Sequence, residues 1–292
     1  MIPANFEYHV PKSLEEALRL LERHGGEAKV LAGGHSLLPL MKLRLAAPRY
    51  VVDIGHLRAL DYIREENGRI AIGALTTHAA IETSDLLKAK CPALSEVAAE
   101  IGDVQVRNRG TIGGSLAHAD PAADYPAVML ALDAEMVIAS SSGLRTVPAQ
   151  GFFVDMLTTQ IRPGEILTEI RVPVLPPRTG ACYRKLHQVA SGFAVVGVAA
   201  RVTVDRVGKC EAVAVGVTGV GPKAYRAEAV ERALRRKKAN PKLLAEAARH
   251  AAQGVEILSD LHASADYRRE MAAVFSRRAL ECALARAQGR TK

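Results

Sequence analysis

Two glycine-rich segments have the composition of a phosphate-binding site. The segments Ala32–Ser36 (AGGHS) and Thr111–Ser115 (TIGGS) each combine two adjacent glycines with hydroxyl residues. Glycine lets backbone N–H groups approach a ligand closely, and Ser and Thr add hydroxyl donors. Two such loops facing each other could cradle a diphosphate without a lysine. Either loop alone is more typical of an ordinary tight turn, so the prediction of a phosphate site depends on the pair.

Several other kinds of site are disfavoured by missing motifs. No GxGxxG follows a strand, and GxxxxGK[ST], HExxH and GxSxG are absent. Cys91, Cys182, Cys210 and Cys282 lie far apart without a CxxC, which argues against a zinc site and against a four-thiolate iron–sulfur cluster. Because the first residues contain no apolar signal segment, we expect reduced thiols rather than disulfides.

Charge and hydropathy describe a cytoplasmic protein with a basic last quarter. The longest apolar run, residues 193–200, is far shorter than the about 20 residues of a membrane span. The 292 residues carry a formal charge of +8, and residues 223–292 hold all of it, with 16 basic and 8 acidic side chains. A nucleic-acid-binding or scaffolding protein is therefore one alternative, supported by the run Arg235–Lys238 (RRKK). An aromatic content of 4% without Trp argues against it.

The predicted elements divide the chain at a proline-rich linker, residues 173–180. Ser13 and Glu16 form a capping box before the first helix, and the strand Ala28–Leu31 runs directly into the first glycine segment. After the linker, three strand patterns are followed by helical patterns from Ala224 onward. We predict an N-terminal domain, 1–177, with subdomains of about 1–58 and 59–177, and a C-terminal domain, 178–292.

Three stretches resemble the FAD-binding subunits of molybdenum hydroxylases: AGGHSLLPLMKLRLAAP from Ala32, TIGGSLAHADPAADYPA from Thr111 and GEILTEIRVP from Gly164. The resemblance runs along the whole chain. It is strongest to the medium subunits of aerobic carbon monoxide dehydrogenases, and the chain is also similar to the flavin domain of xanthine dehydrogenases. It implies an α+β fold, in which two α/β subdomains form an FAD-binding domain of the PCMH/vanillyl-alcohol-oxidase type. An antiparallel three-stranded sheet with a helix bundle follows.

The resemblance also assigns cofactor-binding residues. It makes Asp124 an acidic FAD contact, Ile101 and Leu167 apolar contacts, and Lys185 a cation near the flavin ring. Taken alone, Asp124 is equally typical of the first turn of a helix. Ile101 and Leu167 are more typical of the core, and Lys185 is typical of a solvated strand. Phe193 is a candidate for packing on the ring. The full set is Lys29, Val30, Leu31, Ala32, Gly33, Gly34, His35, Ser36, Ile101, Thr111, Ile112, Gly113, Gly114, Ser115, Asp124, Leu167 and Lys185. No catalytic residue and no metal ligand is assigned.

The function implied by the resemblance is electron transfer. Molybdopterin would lie in a large partner subunit and two [2Fe–2S] clusters in a small one, as a dimer of heterotrimers. FAD in this chain would pass electrons to an external acceptor such as a quinone, most simply during oxidation of CO to CO₂ at the inner face of the cytoplasmic membrane. Alternatives are a related hydroxylase of a purine or N-heterocycle, and a flavin-dependent oxidase that acts alone.

Overall fold

The first unit of the fold is a small parallel sheet covered by one helix. The computed structural model describes residues 1–290. In this unit β3 is central and pairs in parallel with β1 and β2. The Ser13 hydroxyl caps α1 as predicted, and α1 buries Ala17, Leu18 and Leu21 against the sheet. The elements are β1 (Glu7–His9), α1 (Leu14–His24), β2 (Ala28–Leu31), α2 (Leu37–Lys42) and β3 (Tyr50–Asp53), with 3₁₀ turns at Gly25–Glu27 and Arg58–Leu60.

The second unit is built on an antiparallel sheet of order β4-β5-β10-β6-β7. Its central strand is buried on both faces, since Ile166 packs on the first unit while Leu167 and Ile170 face the helices of the second. The strands are β4 (Ile63–Glu66), β5 (Arg69–Gly73), β6 (Glu135–Ser140), β7 (Gly143–Pro148), β8 (Phe153–Asp155), β9 (Thr158–Thr159) and β10 (Ile166–Pro173). The helices are α3 (His78–Thr83), α4 (Asp85–Lys90), α5 (Pro92–Ala99), α6 (Val104–Arg109), α7 (Ile112–His118), α8 (Tyr125–Ala131) and α9 (Ala149–Phe152).

The C-terminal unit is an antiparallel sheet of order β11-β12-β13-β14 with three helices. We predicted three strands, and the structure has four, because the two-residue β14 pairs with β13 at Val217 and Gly216. Two residues are too few to produce an alternating pattern, so the segment was predicted as helical. The elements are β11 (Thr179–His187), β12 (Ala194–Val204), β13 (Cys210–Thr218), β14 (Tyr225–Arg226), α10 (Glu228–Leu234), α11 (Pro241–Ala248) and α12 (Ala265–Ala287).

A disulfide joins α12 to β11, which corrects the prediction that the cysteines are unpaired. Cys182 and Cys282 are bonded, with Cα atoms 6.0 Å apart across 100 residues of sequence. Cys91 and Cys210 are free and buried. The prediction failed because it used only sequence spacing and the missing signal segment, whereas the packing of a helix on a strand creates the pair.

The described helices include none with the length and apolar character needed to cross a bilayer.

Candidate functional site

The first glycine loop lies against the chain just before the second. Residues Ala32–Ser36 connect β2 to α2, and Gly34 has a φ of +81°, which favours glycine. A Cβ atom on Gly33 would lie 2.1 Å from the carbonyl oxygen of Arg109 and 2.9 Å from the Cα of Gly110. The structure therefore brings the two predicted loops together, and Gly33 is required where they touch.

Four consecutive N–H groups of the first loop are free to bind a ligand. In the part of the chain that the structure describes, the amides of Gly33, Gly34, His35 and Ser36 have no hydrogen-bond acceptor. Their carbonyls are used differently: those of Gly34 and Ser36 accept from the first residues of α2. Successive N–H groups pointing out of a turn form an anion-binding concavity, and four consecutive unpaired amides make this loop a candidate for one.

The second glycine loop is an anchor rather than a second set of free donors. The amides of Ile112 and Gly113 donate to the carbonyls of Thr76 and Ala74, at 3.0 and 2.9 Å. The Thr111 hydroxyl accepts from the Gly114 amide at 3.1 Å and begins α7. A Cβ on Gly113 would lie 2.5 Å from the Cβ of Ala74. The two loops are thus similar in sequence, but among the described residues the amides of Gly33–Ser36 in the first are unpaired and those of Ile112 and Gly113 in the second are bonded to the protein.

Asp124 and Lys185 form a buried ion pair. The Lys185 ammonium donates to Asp124 at 2.8 Å and to the Glu100 carbonyl at 2.9 Å, and its side chain is 0% exposed. The Tyr183 hydroxyl also donates to Asp124. Burial raises the pKa of the Asp124 carboxyl, while the Lys185 charge and the two hydrogen bonds act against that rise. Two of the three N–H groups of Lys185 are therefore bonded to protein, and the side chain has no exposed surface.

Comparison with known proteins identifies the family. Residues 4–175 match the model described as FAD binding domain in molybdopterin dehydrogenase, and residues 181–283 match the CO dehydrogenase flavoprotein C-terminal domain. The chain belongs to this flavoprotein family. The predicted resemblance is confirmed, and so is FAD as the cofactor.

Individual relatives of this flavoprotein match over nearly its whole length. A carbon monoxide dehydrogenase medium chain from Hydrogenophaga pseudoflava is 42% identical, over 98% of this chain and 99% of its own. The alpha subunit of a 6-hydroxypseudooxynicotine dehydrogenase complex from Paenarthrobacter nicotinovorans is also 42% identical, over 99% and 97%. A solved carbon monoxide dehydrogenase from H. pseudoflava, lacking the Mo-pyranopterin moiety of its cofactor, matches with a TM-score of 0.95 and 44% identity over 98% of this chain and 99% of that one. The predicted mixed fold is therefore confirmed.

The free donors of this flavoprotein suit the chemistry of FAD. A diphosphate carries oxygens that accept hydrogen bonds, and four unpaired amides in one turn satisfy such a group well. The strand before the loop includes Lys29, which is exposed, and Val30 and Leu31, which are half-buried. Gly114 and Ser115 are half-buried at the start of α7 and complete the pair of loops.

The remaining predicted apolar contacts, Ile101 and Leu167, differ in their surroundings. Ile101 follows Glu100, whose carbonyl accepts from Lys185, and Gly192 lies against Gly102. Phe193, next to Gly192, is 44% exposed. Leu167 is different, because it is buried in the core of the second unit.

Two residues of this region were missed by sequence reasoning. Tyr183 lies two residues before Lys185 in β11, and residues at this spacing share a face of the strand, so the alternation was a usable signal. His78 supports the second loop through its amide, which donates to the Gly110 carbonyl at 2.9 Å. Burial, followed by the charges of His35 and Arg107, lowers the pKa of His78 to about 4. No sequence pattern signals this histidine.

The described residues contain no cluster of three or more His, Cys, Asp or Glu side chains arranged to hold a metal ion.

Proposed function

We propose that this chain is the electron-transfer flavoprotein subunit of an aerobic carbon monoxide dehydrogenase complex. The observation that carries the proposal is the row of four free amides in a chain so similar to carbon monoxide dehydrogenase medium chains along its length. FAD accepts electrons one at a time and stores two, which is the chemistry that the cofactor supplies. The chain's own residues bind, orient and shield it.

We propose the following contacts with the cofactor. Residues 29–36 hold the diphosphate through the amides of Gly33–Ser36, and residues 111–115 fix the position of that loop and add the Ser115 hydroxyl. Ile101 and Leu167 provide apolar contacts, although Leu167 requires access from the core. Lys185 lies beside the cofactor, and Asp124 holds its ammonium group in place.

The proposed partners carry the other redox centres. A small subunit with two [2Fe–2S] clusters delivers electrons, and a large molybdopterin subunit oxidises the substrate, in a cytoplasmic dimer of heterotrimers. An external acceptor such as a quinone takes the electrons from this chain, which would place the complex at the inner face of the membrane. The dispersed cysteines support the need for partners, because two are bonded to each other and two are buried far apart.

A second substrate class has equal support from sequence identity. The 6-hydroxypseudooxynicotine dehydrogenase subunit is as similar to this chain as the carbon monoxide dehydrogenase medium chain. Hydroxylation of an N-heterocycle therefore stands as the alternative function of the complex. The role of this chain is the same in both.

The test is anaerobic reduction of the flavin. The chain is purified alone and with its molybdopterin and [2Fe–2S] subunits, and each preparation receives CO or a hydroxypyridine substrate. We expect CO to bleach the oxidised-flavin absorbance of the complex and to leave the isolated chain unchanged. Bleaching of the complex by the heterocycle but not by CO would establish hydroxylation of an N-heterocycle as the function of the complex. Direct bleaching of the isolated chain by a substrate would overturn the electron-transfer role and indicate an independent oxidase.

A further inference from the structure

Tertiary packing gathers eight cationic side chains at one end of the C-terminal sheet. The turn between β12 and β13 lies beside the segment after α10, because the Arg236 amide donates to the Cys210 carbonyl and the Cys210 amide donates to the Lys237 carbonyl, at 2.8 and 2.9 Å. All eight side chains are exposed. We call this the basic end surface; it consists of Arg178, Arg206, Lys209, Arg235, Arg236, Lys237, Lys238 and Lys242.

Strands and turns far apart in sequence contribute to the surface. Lys209 and Lys238 are bridge partners across the turn, and the Val204 amide donates to the carbonyl of Arg178 at 3.0 Å. The cations are therefore held near each other by backbone hydrogen bonds, against their mutual repulsion. A run of charge in the sequence would be a weaker observation, because a flexible run can separate its charges.

None of the eight cations forms an ion pair within the described residues. Elsewhere in the same unit arginines are paired, as Arg226 is with Glu231 and Asp133. The nearest acid in sequence, Asp205, is used within the turn, where its carboxylate accepts from the amides of Val207 and Lys209. Glu211 is also exposed and lines a cleft together with Arg178, but within the part of the chain that the structure describes it forms no ion pair with these cations. The eight cations outnumber the two acids, and such an excess of one sign attracts an extended anionic partner.

An exposed apolar side chain lies among the cations of the basic end surface. Val207 is at the tip of the β12–β13 turn, is 65% exposed, and lies between Arg206 and Lys209. Valine at the tip suits the boundary between lipid head groups and acyl chains, and flanking Lys and Arg stems extend towards head-group phosphates. The surface has no aromatic residue, and the whole chain has no Trp, so it lacks the platforms on which nucleic-acid bases stack.

We propose that the basic end surface binds an anionic phospholipid bilayer, with Val207 entering the head-group region. This deepens the membrane location put forward above and rests on it. The surface assigns the contact to the C-terminal domain, whereas the glycine loops lie in the first two units. Membrane binding and FAD binding are therefore separable by mutation.

The experiment is co-sedimentation of the FAD-loaded chain, and of its complex, with vesicles. Phosphatidylcholine vesicles are compared with vesicles that also contain phosphatidylglycerol. The surface variant is Arg235→Gln, Arg236→Gln, Lys237→Gln and Lys238→Gln together. A control with the same charge change, on exposed and unpaired residues elsewhere, is Lys12→Gln, Arg19→Gln, Arg23→Gln and Arg162→Gln together. A third variant is Val207→Ser.

We expect wild-type chain and complex to bind only the anionic vesicles, with binding weakened by salt. The surface variant should reduce the partition coefficient at least about tenfold. Val207→Ser, which keeps every cation, should also reduce it, and the control should remain near wild type. Equal loss in both charge variants would overturn the proposal, because net charge alone would explain it. Binding by the isolated chain but not the complex would also overturn it, since a partner subunit would then cover the surface. Binding to DNA in preference to vesicles would do the same.

The flavin spectrum is recorded for every preparation. Loss of FAD with retained vesicle binding would count against the proposed function alone. Intact FAD without vesicle binding would count against the membrane surface alone.

Discussion

Replacing Gly33 by alanine tests the close approach of the two glycine loops. The new Cβ would lie 2.1 Å from the Arg109 carbonyl oxygen, 2.8 Å from its carbon and 2.9 Å from the Gly110 Cα. Non-bonded heavy atoms pack at about 3.5 Å, so the first loop must move away by about 1.4 Å. All three neighbouring atoms belong to the backbone. Rotation of a side chain therefore cannot relieve the clash.

The expected effect on FAD binding follows from that displacement. Overpacking of this kind costs about 1–3 kcal/mol of folding free energy. The movement also shifts the free amides of Gly33–Ser36 away from the diphosphate. A hydrogen bond to a charged group contributes about 1.5–3 kcal/mol, so losing one raises the dissociation constant of FAD about 10- to 100-fold.

The measurement is titration of apoprotein with FAD, followed by quenching of flavin fluorescence. Gly26→Ala is the matched control, because it lies in the same unit and its Cβ would meet nothing within 4 Å. Thermal unfolding of both apoproteins separates a folding defect from a binding defect. If folded Gly33→Ala binds FAD as tightly as Gly26→Ala does, the loops do not act as one site and the reasoning is wrong.

Three further predictions concern stability. Lys185→Met leaves the buried Asp124 carboxylate without its counter-ion and should lower the free energy of unfolding, measured in urea, by about 3–5 kcal/mol. Tyr183→Phe removes only a hydrogen bond to the same carboxylate and should lower it by about 1 kcal/mol. Equal effects of the two substitutions would contradict the ion pair. Reductant or Cys282→Ser should lower the free energy of unfolding by about 4.7 kcal/mol, because the disulfide closes a loop of 100 residues. A non-reducing peptide map without the cross-linked peptide would disprove the bond. On acidification, the unfolded chain takes up a proton on His78 near pH 6.5, whereas the folded chain does so only near pH 4. The free energy of unfolding should therefore fall by about 3 kcal/mol as the pH drops from 6.5 to 4. His78→Phe should lose that part of the pH dependence, and an unchanged slope in this variant would refute the prediction.

Local sequence signals predicted the parts of the site that depend on local structure. The Ser13 cap, the strand before the first glycine loop and the Thr111 segment all follow from residues adjacent in sequence. Glycine pairs beside hydroxyl residues were sufficient to select both loops. These glycine pairs could not show that the amides of the second loop donate to the carbonyls of Ala74 and Thr76, because those hydrogen bonds depend on how β5 ends beside α7.

Long-range pairings were beyond the sequence. The Cys182–Cys282 bond and the Tyr183–Asp124 hydrogen bond join residues separated by many elements, and neither has a spacing that identifies it. Lys185 could be assigned a charge but not a partner. The resemblance predicted a cation near the flavin, whereas the structure adds that most of its donors are already bound to protein.

The ion pair explains why the domain boundary predicted near residue 177 is not a boundary of the site. Asp124 belongs to the N-terminal part, while its partners Lys185 and Tyr183 are in β11. The contact extends further, because the Gly219 amide donates to the Pro121 carbonyl at 2.8 Å. An N-terminal domain without β11 would leave the Asp124 carboxylate without its counter-charge and without the Tyr183 hydrogen bond. The proposed diphosphate site therefore lies within one domain, but the charge beside the proposed flavin site requires both.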